Sequence, residues 1–268
     1  MARIHVNGID IAYDTYGQSS NPPLFAAHGL YGSRIIFRSL GKAIQDKFYV
    51  VAYDVRGHGE SEKPPEYTLA DHGHDLLALI EAFGCEKASA MGYSMGSYIV
   101  LQAAVLNPER IDRLVPIVTK GHGKTSSVLR YLASKGVDPS KLDYNQMLVE
   151  VQGALWCPDT PQTLRDQVFA AEAEVPKLTP QETAAVDKSL LNFDLRPDLH
   201  KITAPTLIIS AKYDGLNPPD AGQEVADLIP HSAFEVFDKS GHMLIYEETE
   251  RLARRICEFL TGEFKAIE

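Results

Sequence analysis

The chain has 268 residues, 44% hydrophobic and 23% charged, and a formal net charge of −10; this is the profile of a soluble globular protein, one α/β domain with an insertion or two small domains, and it argues against nucleic acid or an anionic membrane as partner. Cys85, Cys157 and Cys257 are widely spaced and form no C-x-x-C, which disfavours a disulfide framework and points to a reducing, cytoplasmic setting. Residues 1–5 lack the apolar run of a secretory signal, and no stretch reaches the roughly 18 apolar residues of a spanning helix.

In chain order, Arg3–Val6 and Ile9–Asp14 alternate apolar and polar around Asn7-Gly8, a type I′ turn pair, and read as a hairpin. Buried strands are predicted at Leu24–Ala27 and Tyr49–Tyr53, with helical spacing between them from Phe37 to Ile44. The second strand runs into Asp54-Val55-Arg56-Gly57-His58-Gly59-Glu60-Ser61, where Asp54 and Arg56 are expected to pair and fix the loop. Leu69–Phe83 is an amphipathic helix with Gly84 at its C-cap. Lys87–Met91 then gives way to Gly92-Tyr93-Ser94-Met95-Gly96 and a helix stopping near Asn107-Pro108.

Strand Leu114–Val118 contains Pro116, which predicts a bend or an edge-like position. From Lys120 to about Leu199 no strand-like run occurs. Helical patterns at Val128–Lys135, Tyr144–Leu155 and Gln162–Glu172 are punctuated by Pro158, Pro161, Pro176 and Pro180, so the segment reads as a mainly helical insertion. The alternation returns with strand Thr206–Ser210, helix Pro219–Leu228, strand Phe234–Phe237 and a last helix Glu247–Leu260. Strands alternating with helices predict a largely parallel sheet covered on both faces, with reactive groups at the C-terminal strand ends.

Gly-x-Ser-x-Gly at a strand-to-helix junction fits a nucleophile elbow. A serine hydroxyl needs an imidazole to take its proton and a carboxylate to orient that imidazole. Of the nine histidines, His242 follows a strand end in a small-residue loop, whereas His5, His72, His74, His200 and His231 do not. Asp214 ends another strand. Asp238 ranks below it, and Asp220, at a helix start, reads as an N-cap. The order is therefore Ser94, Asp214, His242. Donors for a developing oxyanion are predicted from the backbone N–H of Met95 and of Leu30, in the His28-Gly29-Leu30 loop, with His28 as a structural support of that loop.

These pieces together resemble the α/β-hydrolase superfamily across nearly the whole chain: His28-Gly29, Asp54-x-Arg56-Gly57-x-Gly59-x-Ser61, Gly92-x-Ser94-x-Gly96, Asp214 in Asp-x-Leu-x-Pro, and Gly241-His242. The resemblance implies an α/β-hydrolase fold, a mostly parallel eight-stranded sheet with helices on both faces and a helical cap inserted after strand 6. Core residues would be 1–119 and 200–268, and the cap 120–199. The chain is similar to small capped esterases, enol-lactonases, carbon–carbon hydrolases and cofactor-free perhydrolases. Ser94 argues against the dehalogenase relatives, which carry an aspartate at the elbow. The loop His28-Gly29-Leu30-Tyr31 disfavours lipases of the HGGG type.

The expected activity is hydrolysis of a small, fairly apolar carboxylic ester or lactone. The alternatives are carbon–carbon hydrolysis or perhydrolysis on the same triad, and a receptor-like ligand-binding module. Tyr31, Tyr93, Leu216 and Met243 are the candidates for lining the pocket, with Trp156 and Tyr131 from the insertion, although apolar residues at helical spacing more often pack. His122 reads as part of a solvated glycine-rich loop and Cys157 as inert. No cofactor is expected and no metal, since the histidines form no H-x-x-x-H pair. The expected partner is a small-molecule substrate, with neither nucleic acid nor membrane, and the protein a monomer or homodimer.

Overall fold

The computed structural model describes residues 2–142 and 144–265. The hairpin forms as β1 (Ala2–Val6) and β2 (Ile9–Tyr16), with Asn7 at φ 47° and Gly8 at φ 77° in the turn. Both positions need the left-handed region of a type I′ turn, which the Asn-Gly pair supplies. β3 (Pro23–Ala27), α1 (Arg38–Ile44), β4 (Tyr49–Tyr53), α2 (Leu69–Ala82), β5 (Ala88–Tyr93), α3 (Met95–Leu106) and β6 (Ile111–Ile117) follow. Four helices then intervene: α4 (Ser127–Ser134), α5 (Tyr144–Leu155), α6 (Gln162–Glu172) and α7 (Pro180–Ser189). The sheet resumes with β7 (Thr206–Ala211), α8 (Pro219–Leu228), β8 (Ser232–Phe237), the short α9 (Leu244–Glu247) and α10 (Thr249–Leu260).

The eight strands lie in the order β1-β2-β4-β3-β5-β6-β7-β8, antiparallel up to the β2–β4 pair and parallel from there on. The interior parallel strands β3, β4, β5 and β7 are buried on both faces, which is why they read as near-continuous apolar or small-residue runs. In β3, Phe25 and Ala27 face the core shared with Leu76, Leu79 and Ile80 of α2 and Ile99 of α3. Leu24 and Ala26 face the opposite core, with Leu40 and Ile44 of α1 and Leu252, Ile256 and Phe259 of α10. The alternation is the period-2 consequence of the pleat. α3 is buried from Met95 to Leu101, so it is apolar all round rather than striped. Among the described residues, no helix is long and apolar enough to cross a membrane.

Pro116 differs from expectation: β6 is an interior strand, paired to β5 through Gly92–Pro116 and to β7. The Leu114 N–H donates to Pro205 and the Val118 N–H to Ile209. Position 116 is in phase with these two donors. The missing proline N–H thus leaves a gap in the β6–β7 ladder, where pairs are found only at Leu114–Thr206 and Ile117–Ile209. α7 was also unpredicted. Its start is encoded in Thr179-Pro180-Gln181-Glu182, a capping box with proline in the first turn.

Candidate active site

β5 delivers Ser94 directly into α3, with Ser94 at φ 53° and ψ −116°. A serine in this region stores strain and is held only by its surroundings. Sterics account for the flanking glycines. A Cβ on Gly92 would overlap the Gly96 carbonyl, and one on Gly96 would overlap the carbonyl of Ala27. The Ser94 N–H donates to Ile117 at 3.0 Å, tying the bend to β6.

Loops after β7 and β8 bring the other two predicted side chains to this point. His242 Nδ1 donates to Asp214 Oδ2 at 2.8 Å, and Ser94 Oγ lies 3.0 Å from His242 Nε2. The second carboxylate oxygen of Asp214 accepts the N–H groups of Leu216 and Asn217, both at 2.8 Å. With Asp214 and His242 both buried, the carboxylate has its lone pairs satisfied and a fixed aim. His242 is held from behind. The Tyr93 hydroxyl donates to the His242 carbonyl, and the Gly241 N–H donates to Glu247 at 2.7 Å. The other oxygen of Glu247 takes the Cys157 N–H at 2.8 Å and the Thr160 hydroxyl. The Met243 N–H donates to Leu155, the last residue of α5, at 2.9 Å. Glu247 thus staples the histidine loop to the helices inserted after β6.

The Met95 N–H opens α3 and has no preceding turn to bond to. Leu30 belongs to a loop packed against Ser94: a Cβ on Gly29 would stand 3.4 Å from the Ser94 Cβ. That loop hangs on His28, whose Nε2 accepts the Val55 N–H at 3.1 Å. The proton is thereby assigned to Nδ1, which donates to the Gly29 carbonyl at 2.8 Å. Burial pushes the His28 imidazole down to about 4, so it stays neutral. The Gly32 N–H closes the turn on Gly29 at 3.1 Å.

Asp54 and Arg56 do not pair with each other. Asp54 binds Arg34, through its guanidinium and through its backbone N–H at 2.7 Å, and also the Glu60 N–H at 2.8 Å. Arg56 forms a two-pronged contact with Asp75 of α2 at 2.6 and 2.8 Å. Each charge meets a partner from another element, so the loop is tied to its surroundings rather than to itself. Beside it His58, His72 and Tyr67 carry buried ring nitrogens or a hydroxyl without a hydrogen-bond partner. Burial lowers the His58 imidazole to about 3 and drives His72 down as well.

The predicted pocket residues divide. Tyr93 is buried beneath His242 and supports it. Trp156 and Met243 pack with Val168 in a small satellite core, and the indole donates to Gln152 at 3.2 Å. Both are buried in that cluster. Leu216 lends its N–H to Asp214 and its carbonyl to Arg130. Leu30 and Tyr31 are exposed, and the Tyr31 hydroxyl reaches Asp187 of α7. His122 sits in a two-residue bridge with Asp194 and accepts the Lys124 N–H at 3.3 Å, as a loop residue would. Asp220 lies in the first turn of α8 without capping it, because Pro218 holds the cap position. Asp238 is engaged by Arg251 at 3.0 Å. Among the described residues no cluster of His, Cys, Asp and Glu is suited to a metal ion.

Tyr98 and Asn217 were missed. Tyr98 is one helical turn after Ser94, its hydroxyl accepting from Asn217 Nδ2 at 2.8 Å. The i,i+4 spacing from the elbow serine was the available signal. A shallow surface cavity of about 350 Å3 between Lys87, Pro108 and Thr203–Pro205 lies at the opposite end of the strands and carries none of these groups.

Residues 22–249 match the family described as alpha/beta hydrolase fold. The chain belongs to this family. Among curated proteins it is 26% identical over 240 residues to 3-oxoadipate enol-lactonase 2 of Acinetobacter baylyi, covering 87% of this chain and 86% of that one. The enol-lactonase structure of Burkholderia xenovorans LB400 superposes with a TM-score of 0.81 at 25% identity, covering 97% of this chain and all of the other. A thermophilic esterase of Thermogutta terrifontis gives 0.83 at 23% identity, over 99% of this chain and 100% of its own. These relatives are named as enol-lactonases and an esterase.

Proposed function

We propose that the protein is a serine hydrolase that cleaves a small carboxylic ester or lactone through an acyl-enzyme on Ser94. The observation that carries the reading is the unbroken hydrogen-bonded chain from Asp214 through His242 to a Ser94 held at positive φ. Ser94 Oγ attacks the acyl carbon as His242 Nε2 takes its proton. The tetrahedral oxyanion is received by the Met95 and Leu30 N–H groups. Collapse breaks the acyl–oxygen bond, and His242 returns the proton to the leaving alkoxide. A water then repeats the sequence with its own proton, releasing the acid and restoring Ser94. Asp214 keeps the imidazole in the Nδ1–H tautomer and stabilises the imidazolium. Residues 120–199 act as a cap over residues 1–119 and 200–268, fixed through Glu247 and the Leu155 carbonyl. The three cysteines, all free thiols, suit a cytoplasmic enzyme.

The test is labelling with a fluorophosphonate and turnover of p-nitrophenyl acetate. Wild type is expected to do both and Ser94→Ala neither; labelling and turnover by Ser94→Ala would overturn the assignment. A panel of short and long acyl esters, a lactone and a vinylogous diketone then ranks the bond cleaved. Short esters or lactones are expected to lead.

A further inference from the structure

The end of β6 carries a polar group that this reaction does not use. Val118 holds φ 49°, a costly conformation for a β-branched residue. Its carbonyl accepts from Asn217 Nδ2 at 2.7 Å. The bend sends Thr119 to the Ser97 hydroxyl at 2.8 Å and lays Lys120 over Tyr98, its Nζ 5.7 Å from the ring centroid. Lys120 Nζ donates to Ser127 Oγ at 2.9 Å, and Ser127 Oγ in turn donates to Asn217 Oδ1 at 3.2 Å. Arg130, one turn further along α4 from Ser127, gives one N–H to the Leu216 carbonyl beside Asp214. The loop after Lys120 is fixed by the Leu195 N–H on Gly121 and the Gly123 N–H on Phe193, at 2.9 and 2.8 Å. A Cβ at Gly123 would strike the Leu190 carbonyl and the Phe193 ring.

Two cations thus stand past the end of β6, bonded through Ser127 and Leu216 to the loop that carries Asp214, and among the described residues neither forms an ion pair. Lys120 has used one of three donors and Arg130 one of five. Burial and the nearby Arg130 guanidinium push the Lys120 ammonium down to about 8. Partly desolvating two like charges without a counter-ion is unfavourable unless an anion arrives to occupy the gap.

We propose that Lys120 and Arg130 form an anion subsite beside Ser94, and that the substrate is an ester or lactone carrying a carboxylate away from the scissile bond. The inference rests on the serine-hydrolase reading and replaces the expected apolar pocket with one that has a cationic wall. A carboxylate there takes the remaining ammonium and guanidinium donors, in charge-assisted bonds made on a frame already in place.

The experiment compares kcat/KM for two series. One is the monomethyl esters of C4 to C6 dicarboxylic acids against their dimethyl esters. The other is acetate esters of ω-hydroxy acids against the methyl esters of those acids. In at least one series the anion is expected to be preferred tenfold or more. Lys120→Met and Arg130→Met should each lower the anion-to-neutral ratio by about ten- to a hundredfold, with Lys120→Arg restoring most of it. In wild type the anion preference should fall as pH rises through about 8, as Lys120, facing Arg130 of α4, Tyr98 of α3 and His122 of its own loop, loses its proton. That limb should vanish in Lys120→Arg. Equal rates for anionic and neutral esters in both series, or a ratio unmoved by both methionine variants, would overturn the subsite and leave the nucleophile intact. Absence of fluorophosphonate labelling would instead remove the reaction on which it rests.

Discussion

The sheet edge that holds Ser94 and the helices that cover it are built by different means. At the edge, position is set by steric exclusion and by backbone ladders. Gly92 and Gly96 let main chains approach where any side chain would collide, and Ser94 is tied to β6 through Ile117. Among the covering helices position is set by caps and by a few polar staples: Ser126 on α4, the Thr179–Glu182 box on α7, and Glu247, which reaches from the histidine loop to Cys157 and Thr160. The first construction tolerates almost no substitution, whereas the second can drift in sequence while keeping its contacts to the edge. On the proposed function, reaction chemistry would belong to the edge and substrate choice to the cover.

The largest effect should come from breaking the edge. Gly96→Ala puts a Cβ into the Ala27 carbonyl, and the strand or the helix must shift to admit it. We expect loss of activity and of most soluble protein, read by expression and melting; a soluble, fully active Gly96→Ala would refute the steric account. Next is Asp214→Asn. The amide would present an N–H where the carboxylate now receives Nδ1–H, or abandon the Leu216 and Asn217 amides, so the imidazole loses its tautomer. A fall in kcat on the order of 10⁴ is expected, as for the analogous change in serine proteases, with the melting temperature little altered.

A third effect separates the two constructions by pH. His28, His58 and His72 all lie on the sheet side and are buried neutral, His28 at about 4 and His58 at about 3 against an ordinary 6.5. Below pH 6.5 the unfolded chain binds protons that the folded chain refuses, so stability is whole above that value and is lost on acidification towards the folded values. At about pH 4.5, His28 and His58 alone account for roughly 5 kcal/mol. Melting should drop steeply between pH 7 and 4.5. His72→Phe removes a ring whose two nitrogens have no partner and should narrow that drop. An unchanged drop would show that His72 does not carry its share.

The same division decides what could be read from the sequence. Edge features are local: the hairpin turn, the elbow glycines, and Asp214 and His242 just past their strands all announce themselves within a few residues. Cover features are not. Lys120 and Arg130 of the insertion meet Tyr98 and Asn217 of the core from two helices and two loops, and no spacing along the chain joins the four. Pairing partners were equally opaque, since Arg56 meets Asp75 and Asp54 meets Arg34 only after the sheet has formed. Pro116 misled because a missing ladder bond can be absorbed within an interior strand as well as at an edge. α7 was hidden by reading Pro180 as punctuation, when proline after Thr179 and before Glu182 marks a helix start.

The smallest effects should distinguish a cover that merely encloses from one that also positions His242. Glu247→Gln keeps the shape of the staple but replaces one acceptor oxygen by a donor, so either the Gly241 N–H or the Cys157 and Thr160 pair loses its partner. A lost charged hydrogen bond of this kind costs about 1.5–3 kcal/mol. If the cover positions the histidine, kcat falls about tenfold with KM nearly constant, because small misplacements of a reacting group are expensive. If it only encloses, KM rises and kcat stands. Lys188→Ala supplies the baseline: its contact with Glu66 is exposed on both sides, so neither constant nor the melting temperature should move measurably. A kcat change in Glu247→Gln against that baseline would make the inserted helices part of the reaction centre.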